Sequence, residues 1–206
     1  MKAVIVGHGP SMLKRELGGE IDSFDFVIRQ KRCSETLKYP KQYGSRVDSV
    51  CGSFTIAMSL KQDVAARQYW VFMDSRHHAV SPAQVEQVRR AVPCVILRET
   101  CDYWNERYRQ LREAFVMDAA QERKKTSDEL GHTHMSAGLH TLIYACELLK
   151  PTTVMLAGFD NVQSGAFTWS ISRGPQWQQY PDHNWPTERK LVPIISEHYG
   201  VEVNYL

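Results

Sequence analysis

Short apolar runs recur along the chain and alternate with longer segments of mixed polar and apolar residues. The runs at 3–6, 26–28, 69–73, 92–97 and 153–157 have the length and aliphatic content of buried strands. Helical patterns lie between them, and strands that alternate with helices typically form a parallel sheet covered on both faces. The pattern therefore predicts an α/β fold: a single Rossmann-like domain with a mainly parallel, twisted sheet and helices on both faces.

The chain length fits one domain. Its 206 residues, 43% of them hydrophobic, are enough for one well-buried core and too few for two domains of ordinary size, so we expect a single domain over residues 1–206. Residues 118–134 are polar and charge-rich, which predicts a mobile lid near the site; an ordinary solvated connection is the alternative.

Charge, hydropathy and cysteine content narrow the class of protein. A net charge of +2 gives only weak support for a nucleic-acid partner. No run approaches about 20 apolar residues, and the first strand begins at residue 3, so neither a membrane span nor a signal peptide is expected. The five cysteines show no metal-ligand spacing, and their odd number does not suggest a disulfide framework, which favours a cytoplasmic protein. They are Cys33, Cys51, Cys94, Cys101 and Cys146.

A glycine-rich turn follows the first predicted strand and precedes a helical pattern at 12–17. The turn consists of Gly7, His8, Gly9, Pro10 and Ser11. Glycines let a phosphate-bearing ligand approach the backbone, and a following helix directs its unpaired amides at the anion. Met12 stands where a dinucleotide fingerprint has its third glycine, so a tight turn that binds nothing is an alternative.

Parallel sheets bind ligands at the carboxyl ends of their strands. Several residues fall at these predicted ends, and one crevice is expected to collect them. They are Gly7, Arg29, Asp74, Arg98 and Gly158.

A second stretch also suits ligand binding. Ser136 is expected to cap the helix that includes 141–149, while Ala137 and Gly138 leave room for a ligand beside its first turn. The strand at 153–157 then leads to a short loop. This loop contains Gly158, Phe159 and Asp160.

In a third stretch, His183 precedes Glu188 by five residues. An imidazole with an unperturbed pKa of about 6.5 can accept the proton of a hydroxyl near neutral pH. Glu188 is expected to cap or orient the last helix, or to fix the geometry around His183. Because the chain has eight histidines, His183 gains weight only from its position after the other two stretches.

The three stretches, taken in order, resemble the long, short and very short sialylmotifs of the sialyltransferases. Residues 4–31 resemble the long motif, from its Gly-Asn-Gly-Pro-Ser type of turn to a strand that ends Val-Ile-Arg-x-Asn. The sequence departs from this motif at two positions. His8 replaces an asparagine that contacts the nucleotide, and Lys31, next to Gln30, replaces the second asparagine.

The resemblance implies roles for individual residues. The implied donor-binding residues are Gly7, His8, Gly9, Pro10, Ser11, Arg29, Gln30, Ser136, Ala137, Gly138, Gly158, Phe159 and Asp160. It also implies that His183 is the general base, that Glu188 supports the site, and that Tyr180 contacts the donor phosphate or the acceptor.

The implied activity is inverting transfer of sialic acid, or a related acid sugar, from a CMP-sugar to an acceptor hydroxyl, as on a glycan. The chain has no Asp-x-Asp pair to hold a divalent ion, so we predict a metal-independent enzyme without a cofactor. A cytoplasmic enzyme of bacterial or phage type is expected. The acceptor, the linkage and the oligomeric state do not follow from the sequence.

Two alternatives from other classes stay open. One is a non-catalytic nucleotide-binding module, in which His8 and Lys31 mark lost donor chemistry. The other is an NADP-dependent oxidoreductase, because Arg29 at the end of the second strand suits a 2′-phosphate better than the ribose of NAD.

Overall fold

A parallel sheet forms the centre of the molecule. The computed structural model describes residues 1–73, 80–92, 94–99, 102–121, 135–164 and 184–206. The strands in these ranges are β1 (Lys2–Val6), β2 (Phe26–Gln30), β3 (Ser49–Ser53), β4 (Gln68–Met73), β5 (Val95–Glu99), β6 (Thr153–Ala157) and β7 (Glu202–Tyr205). The α-helices there are α1 (Gly18–Asp22), α2 (Ser34–Leu37), α3 (Pro40–Tyr43), α4 (Ala57–Asp63), α5 (Pro82–Ala91), α6 (Asp102–Gln121), α7 (Ala137–Leu149), α8 (Asp160–Ser164) and α9 (Trp185–Tyr199), with 3-10 turns at Pro10–Lys14 and Phe54–Ile56.

The strand order reverses at β1. The strands lie in the order β5-β4-β3-β2-β1-β6-β7, and every neighbouring pair is parallel. Val6 at the end of β1 lies opposite Arg29 on one side and Ala157 on the other. Such a reversal leaves a crevice at the carboxyl ends of β1 and β6, which is where open α/β sheets bind ligands.

Alternate residues of each strand face opposite helical layers. Ile5 and Ile28 pack in the layer that contains α7 and α9. Val4 and Val27 face α1 and α3, while Val50 faces α4 and α5. Because both faces are covered, the central strands are apolar along most of their length. This arrangement confirms the predicted fold class.

Most predicted strands are present, with one shifted boundary and two omissions. The run at 92–97 corresponds to β5, which begins only at Val95, because the amide of Val92 still bonds to Val88 at the end of α5. The prediction missed β3, whose sequence Ser-Val-Cys-Gly-Ser has few aliphatic residues, and β7, an edge strand that alternates exposed and half-buried positions.

The segment predicted as a lid begins inside a helix. Helix α6 continues through Gln121, so the first four residues of 118–134 are helical. The rest of this segment lies outside the described residues.

The described cysteines are free thiols. Cys33, Cys51 and Cys146 are buried and Cys94 is exposed. Burial raises the pKa of each buried thiol to about 12, which keeps it protonated and unreactive. Among the described helices, none is long and apolar enough to cross a bilayer.

Candidate active site

The turn after β1 lies against the end of β6. The amide of Gly7 donates to the carbonyl of Ala157 at 2.8 Å, and the amide of Gly9 donates to that of Gly158 at 2.8 Å. A Cβ atom on Gly9 would lie 2.7 Å from the Gly158 oxygen and closer still to Asp160. Glycine is therefore required here by the neighbouring loop, whereas the sequence had suggested close approach of a ligand.

Ser11 and Asp160 join the same two loops. The Ser11 amide donates to one carboxylate oxygen of Asp160 at 2.9 Å, and its hydroxyl donates to the other at 2.5 Å. The segment after the turn is a short 3-10 turn, Pro10–Lys14, and not the predicted helix. The amide and hydroxyl of Ser11, which were expected to donate to the phosphate of a ligand, thus donate to the Asp160 carboxylate.

The second and third motifs are bonded to each other at the start of α7. Ser136 is the N-cap that the sequence predicted, and its hydroxyl accepts from the Leu139 amide at 3.4 Å. Its amide and hydroxyl donate to the two carboxyl oxygens of Glu188, at 2.7 and 2.6 Å. Glu188 is 0% exposed. Burial raises its pKa to about 8, although both hydrogen bonds act in the opposite direction.

Phe159 connects the first and second motifs. A Cβ atom on Gly138 would lie 2.7 Å from the Phe159 ring, and one on Gly7 would lie 3.2 Å from it. The ring is almost fully buried between these two glycines. Residues from all three motifs therefore meet at the carboxyl ends of β1 and β6.

Arg29 does not point into this crevice. It is 0% exposed, and its guanidinium donates to the carbonyls of Arg46 and Tyr43, each at 2.9 Å. The hydroxyl of Tyr43 in turn donates to the carbonyl of Gly9 at 2.6 Å. Arg29 thus supports the turn through Tyr43, a residue that sequence reasoning missed because tyrosines with this role have no motif.

Gln30 lies on the opposite face of the sheet from Arg29. Its amide donates to the hydroxyl of Thr141 on α7 at 2.8 Å, in a buried position. Its described contact is therefore also structural, between β2 and α7.

The two residues that depart from the long sialylmotif, His8 and Lys31, contact each other. Nε2 of His8 lies 2.7 Å from the carbonyl oxygen of Lys31. Nδ1 of His8 is buried, and no described residue forms a hydrogen bond with it. Burial, more than any neighbouring charge, lowers the pKa of His8 to about 4, so the ring is neutral at physiological pH.

Asn184 fixes the chain directly after the expected general base. It caps α9 by accepting from the amide of Thr187 at 3.0 Å, and it is 2% exposed. The buried hydroxyl of Tyr108 on α6 is hydrogen-bonded to the backbone of Asn184. Asn184, and not Glu188, is therefore the cap of the last helix.

One predicted residue, Arg98, is not brought into this site. Arg98 is exposed on the edge strand β5, and β5 lies four strand spacings from β1, or about 19 Å. Asp74, Tyr180 and His183 lie outside the described residues. Within the described part of the chain, no cluster of three or more His, Cys, Asp or Glu side chains is arranged to hold a metal ion.

Comparison with known proteins identifies the family. A sequence profile of glycosyltransferase family 29 (sialyltransferase) matches residues 1–192. No curated protein gives a significant sequence match. Among solved structures, a mammalian sialyltransferase superposes with a TM-score of 0.51 at 13% identity, over 98% of this chain and 68% of the other.

The sialyltransferase CstII from Campylobacter jejuni, solved with the substrate analogue cytidine-5′-monophosphate, also has a TM-score of 0.51 at 13% identity, over 100% of this chain and 79% of the other. These two similarities show a common fold. Because the profile match spans most of the sequence, the chain belongs to glycosyltransferase family 29, the sialyltransferases, and is a glycosyltransferase.

Proposed function

We propose that this protein transfers sialic acid, or a related acid sugar, from a CMP-sugar to an acceptor hydroxyl. The observation that carries the proposal is the start of α7, where Ser136 of the second stretch is bonded to Glu188 of the third, beside the carboxyl ends of β1 and β6. Family membership supports the reaction class. The fold shared with an enzyme solved with cytidine-5′-monophosphate supports CMP as the nucleotide.

The start of α7 is the proposed position of the departing phosphate. Amides in the first turn of a helix lack intrahelical acceptors, and the helix dipole adds partial positive charge there. Ala137 and Gly138 belong to this turn. We prefer this position to the turn at Gly7–Ser11, where the Asp160 carboxylate already accepts from Ser11. The carboxyl group at the start of α7 is that of Glu188, and because burial raises its pKa to about 8, it is mainly uncharged at neutral pH.

His183 is proposed as the general base. It directly precedes Asn184, whose capping bond and burial anchor the start of α9. In this mechanism the imidazole takes the proton of the acceptor hydroxyl. The acceptor oxygen attacks the anomeric carbon of the sugar from the side opposite the departing CMP, which inverts the configuration at that carbon. No metal takes part, because amides and hydroxyls can stabilise a nucleoside monophosphate leaving group.

The mechanism predicts a specific effect of His183→Ala. Transfer from CMP-sialic acid to a panel of glycan acceptors should fall by at least about 100-fold, which is the usual contribution of a general base. CMP binding, measured by calorimetry, should be retained. His198→Ala, which changes a ring stacked on Tyr103 near the opposite end of α9, is the matched control and should keep full activity. Undiminished transfer by His183→Ala would refute the mechanism.

A non-catalytic nucleotide-binding module is the second candidate. One observation favours it: Asp160 places a negative charge on the turn that was expected to meet the donor. Tight CMP binding without transfer or donor hydrolysis would support this candidate. The NADP-dependent alternative is weaker, because the buried guanidinium of Arg29 is directed at backbone carbonyls and away from solvent.

A further inference from the structure

Tyrosine hydroxyls join α6 to α9 near both ends of α9. At the end of α9, the hydroxyl of Tyr199 accepts from Nε1 of Trp104 at 3.0 Å and donates to Glu147 on α7 at 2.9 Å. At the start of α9, the hydroxyl of Tyr108 is hydrogen-bonded to the backbone of Asn184. Tyr108 is 0% exposed and belongs to the core that α7 and α9 share. Helix α6 is therefore bonded to α9 at both ends.

The hydroxyl of Tyr108 accepts the hydrogen bond at the start of α9. The bond by itself lowers the pKa of the phenol, so it favours the deprotonated oxygen, and a bond that the oxygen accepts has this effect. The carbonyl of Asn184 already accepts from the amide of Glu188 at 3.0 Å. The donor to Tyr108 is therefore the Asn184 amide. Burial, together with the nearby Glu188, raises the pKa of Tyr108 overall, which keeps its hydroxyl neutral.

The Asn184 amide takes its partner from outside α9. Asn184 is the N-cap, and amides at the start of a helix have no acceptor within that helix. Since Asn184 is 2% exposed, an amide left without a partner here would be costly. This amide belongs to the peptide group that joins His183 to Asn184, and a peptide group is planar. Tyr108 therefore restrains the direction in which the chain passes from His183 into α9.

We infer that Tyr108 is a positioning residue for the proposed general base: its hydroxyl holds the peptide group between His183 and Asn184 and so aligns the imidazole with the acceptor hydroxyl. The inference rests on the proposed function, which supplies the role of His183. A general base contributes fully only within hydrogen-bond reach of the proton that it removes, and a small displacement lowers the rate steeply. In this mechanism Tyr108 contacts neither the nucleotide nor the acceptor, so its loss should affect the chemical step and not binding.

The substitution Tyr108→Phe removes the hydroxyl and keeps the ring. We expect kcat for transfer from CMP-sialic acid to fall by about tenfold, while the Kd for CMP and the KM values stay within about twofold of wild type. Tyr199→Phe is the matched control, because it removes the hydroxyl that bonds α6 to the other end of α9. It should lower Tm by a similar amount and keep the kcat of wild type.

A double-mutant cycle with His183→Ala separates positioning from a structural role. If Tyr108 acts through the imidazole, Tyr108→Phe should cause no further loss of kcat once His183 is alanine. If Tyr108 only supports the fold, the fractional loss of kcat should be the same in both backgrounds. The residual transfer of the His183→Ala proteins is followed at high enzyme concentration.

The possible results point to different conclusions. Full activity of Tyr108→Phe beside an inactive His183→Ala protein would overturn the inference and leave the general base in place. An equal fractional loss in both backgrounds, or the same loss with Tyr199→Phe, would also overturn it. Undiminished transfer by His183→Ala would overturn the proposed base itself, and the inference with it.

A second variant decides if Tyr108→Phe does not fold. An ester in place of the amide of Asn184, introduced by ligating a synthetic segment 184–206, removes the donor and leaves the tyrosine intact. Its kcat should fall by about tenfold with CMP binding retained. An unchanged kcat would overturn the inference.

Discussion

Gly9 shows that a motif glycine can be required by the protein's own packing. Since a Cβ atom there would lie 2.7 Å from the Gly158 oxygen, we expect Gly9→Ala to destabilise the fold by about 1–3 kcal/mol. Gly19→Ala in α1 is the matched control: its Cβ would meet no atom of the described residues within 4 Å, so this change should stabilise the fold by about 0.5–1 kcal/mol. Urea denaturation of both variants measures the difference, and equal effects would contradict this account.

Glu188 makes the stability of the protein dependent on pH. Burial raises its pKa from 4.5 to about 8, so between these values the folded state holds a proton that the unfolded state has lost. This contribution is complete below pH 4.5 and is lost as the pH rises to about 8. Relative to Glu188→Gln, the free energy of unfolding of wild type should fall by up to about 1.4 kcal/mol per pH unit in this window. Parallel pH profiles of the two proteins would show that Glu188 does not titrate there.

Arg29 and Gln30 show why residue roles are harder to predict than motifs. The sequence placed both at the end of β2, but neighbouring residues of a strand point to opposite faces of the sheet. Arg29 accordingly bonds to the end of α3 and to the loop that follows it, and Gln30 bonds to α7. The motif predicted where these residues lie. Their partners lie in other elements, 14 and 17 residues away for Arg29 and 111 residues away for Gln30, and the sequence contains no local signal for these contacts.

At the scale of single elements, the start of α9 connects stability with activity. Asn184→Ala should cost about 1 kcal/mol, as loss of an N-cap usually does, and should also lower transfer activity because His183 precedes it. Ser81→Ala removes the N-cap of α5, a helix that contributes no residue to the site, and is the matched control. It should cost similar stability and leave activity unchanged. Thermal unfolding and transfer rates measured together test this, and equal activity of both variants would count against the role of the cap.

Helices and strands were predictable where their sequence pattern agrees with their environment. Ser136 as the cap of α7 and the run at 153–157 were correct, because a capping residue and a buried aliphatic run are local signals. Strand β3 was missed since its centre contains Cys51 and Gly52, whose place in the sheet depends on packing by α4 and α7. Edge strands such as β7 carry an even weaker signal, because only one side is paired.

At the scale of the whole molecule, the strand order determines which motifs meet. The sequence predicted a crevice at the carboxyl ends of parallel strands, and Gly7 and Gly158 do lie side by side there. Arg98 was expected in the same crevice but lies on the edge strand. Hydrophobic runs predict that strands exist and are buried, whereas their order depends on how the connections cross the sheet, which a single sequence does not encode locally.

The position of the crevice predicts how a nucleotide should affect overall stability. It lies between β1 and β6, where the two halves of the sheet meet, so a bound CMP would contact groups that separate on unfolding. At a CMP concentration of 100 times its Kd, the stabilisation should be about 2.7 kcal/mol, or roughly 5–10 °C in Tm for a chain of this size. Scanning calorimetry should give the same increase with EDTA and with Mg²⁺, and a smaller one with UDP.

A rise in Tm with CMP that requires Mg²⁺ would contradict the proposed metal independence. A rise in Tm with UDP and none with CMP would indicate that the donor is another class of nucleotide sugar. Because ligand linkage depends only on affinity for the folded state, this measurement is independent of the acceptor, and it separates a wrong nucleotide from a wrong acceptor whenever a transfer assay is negative.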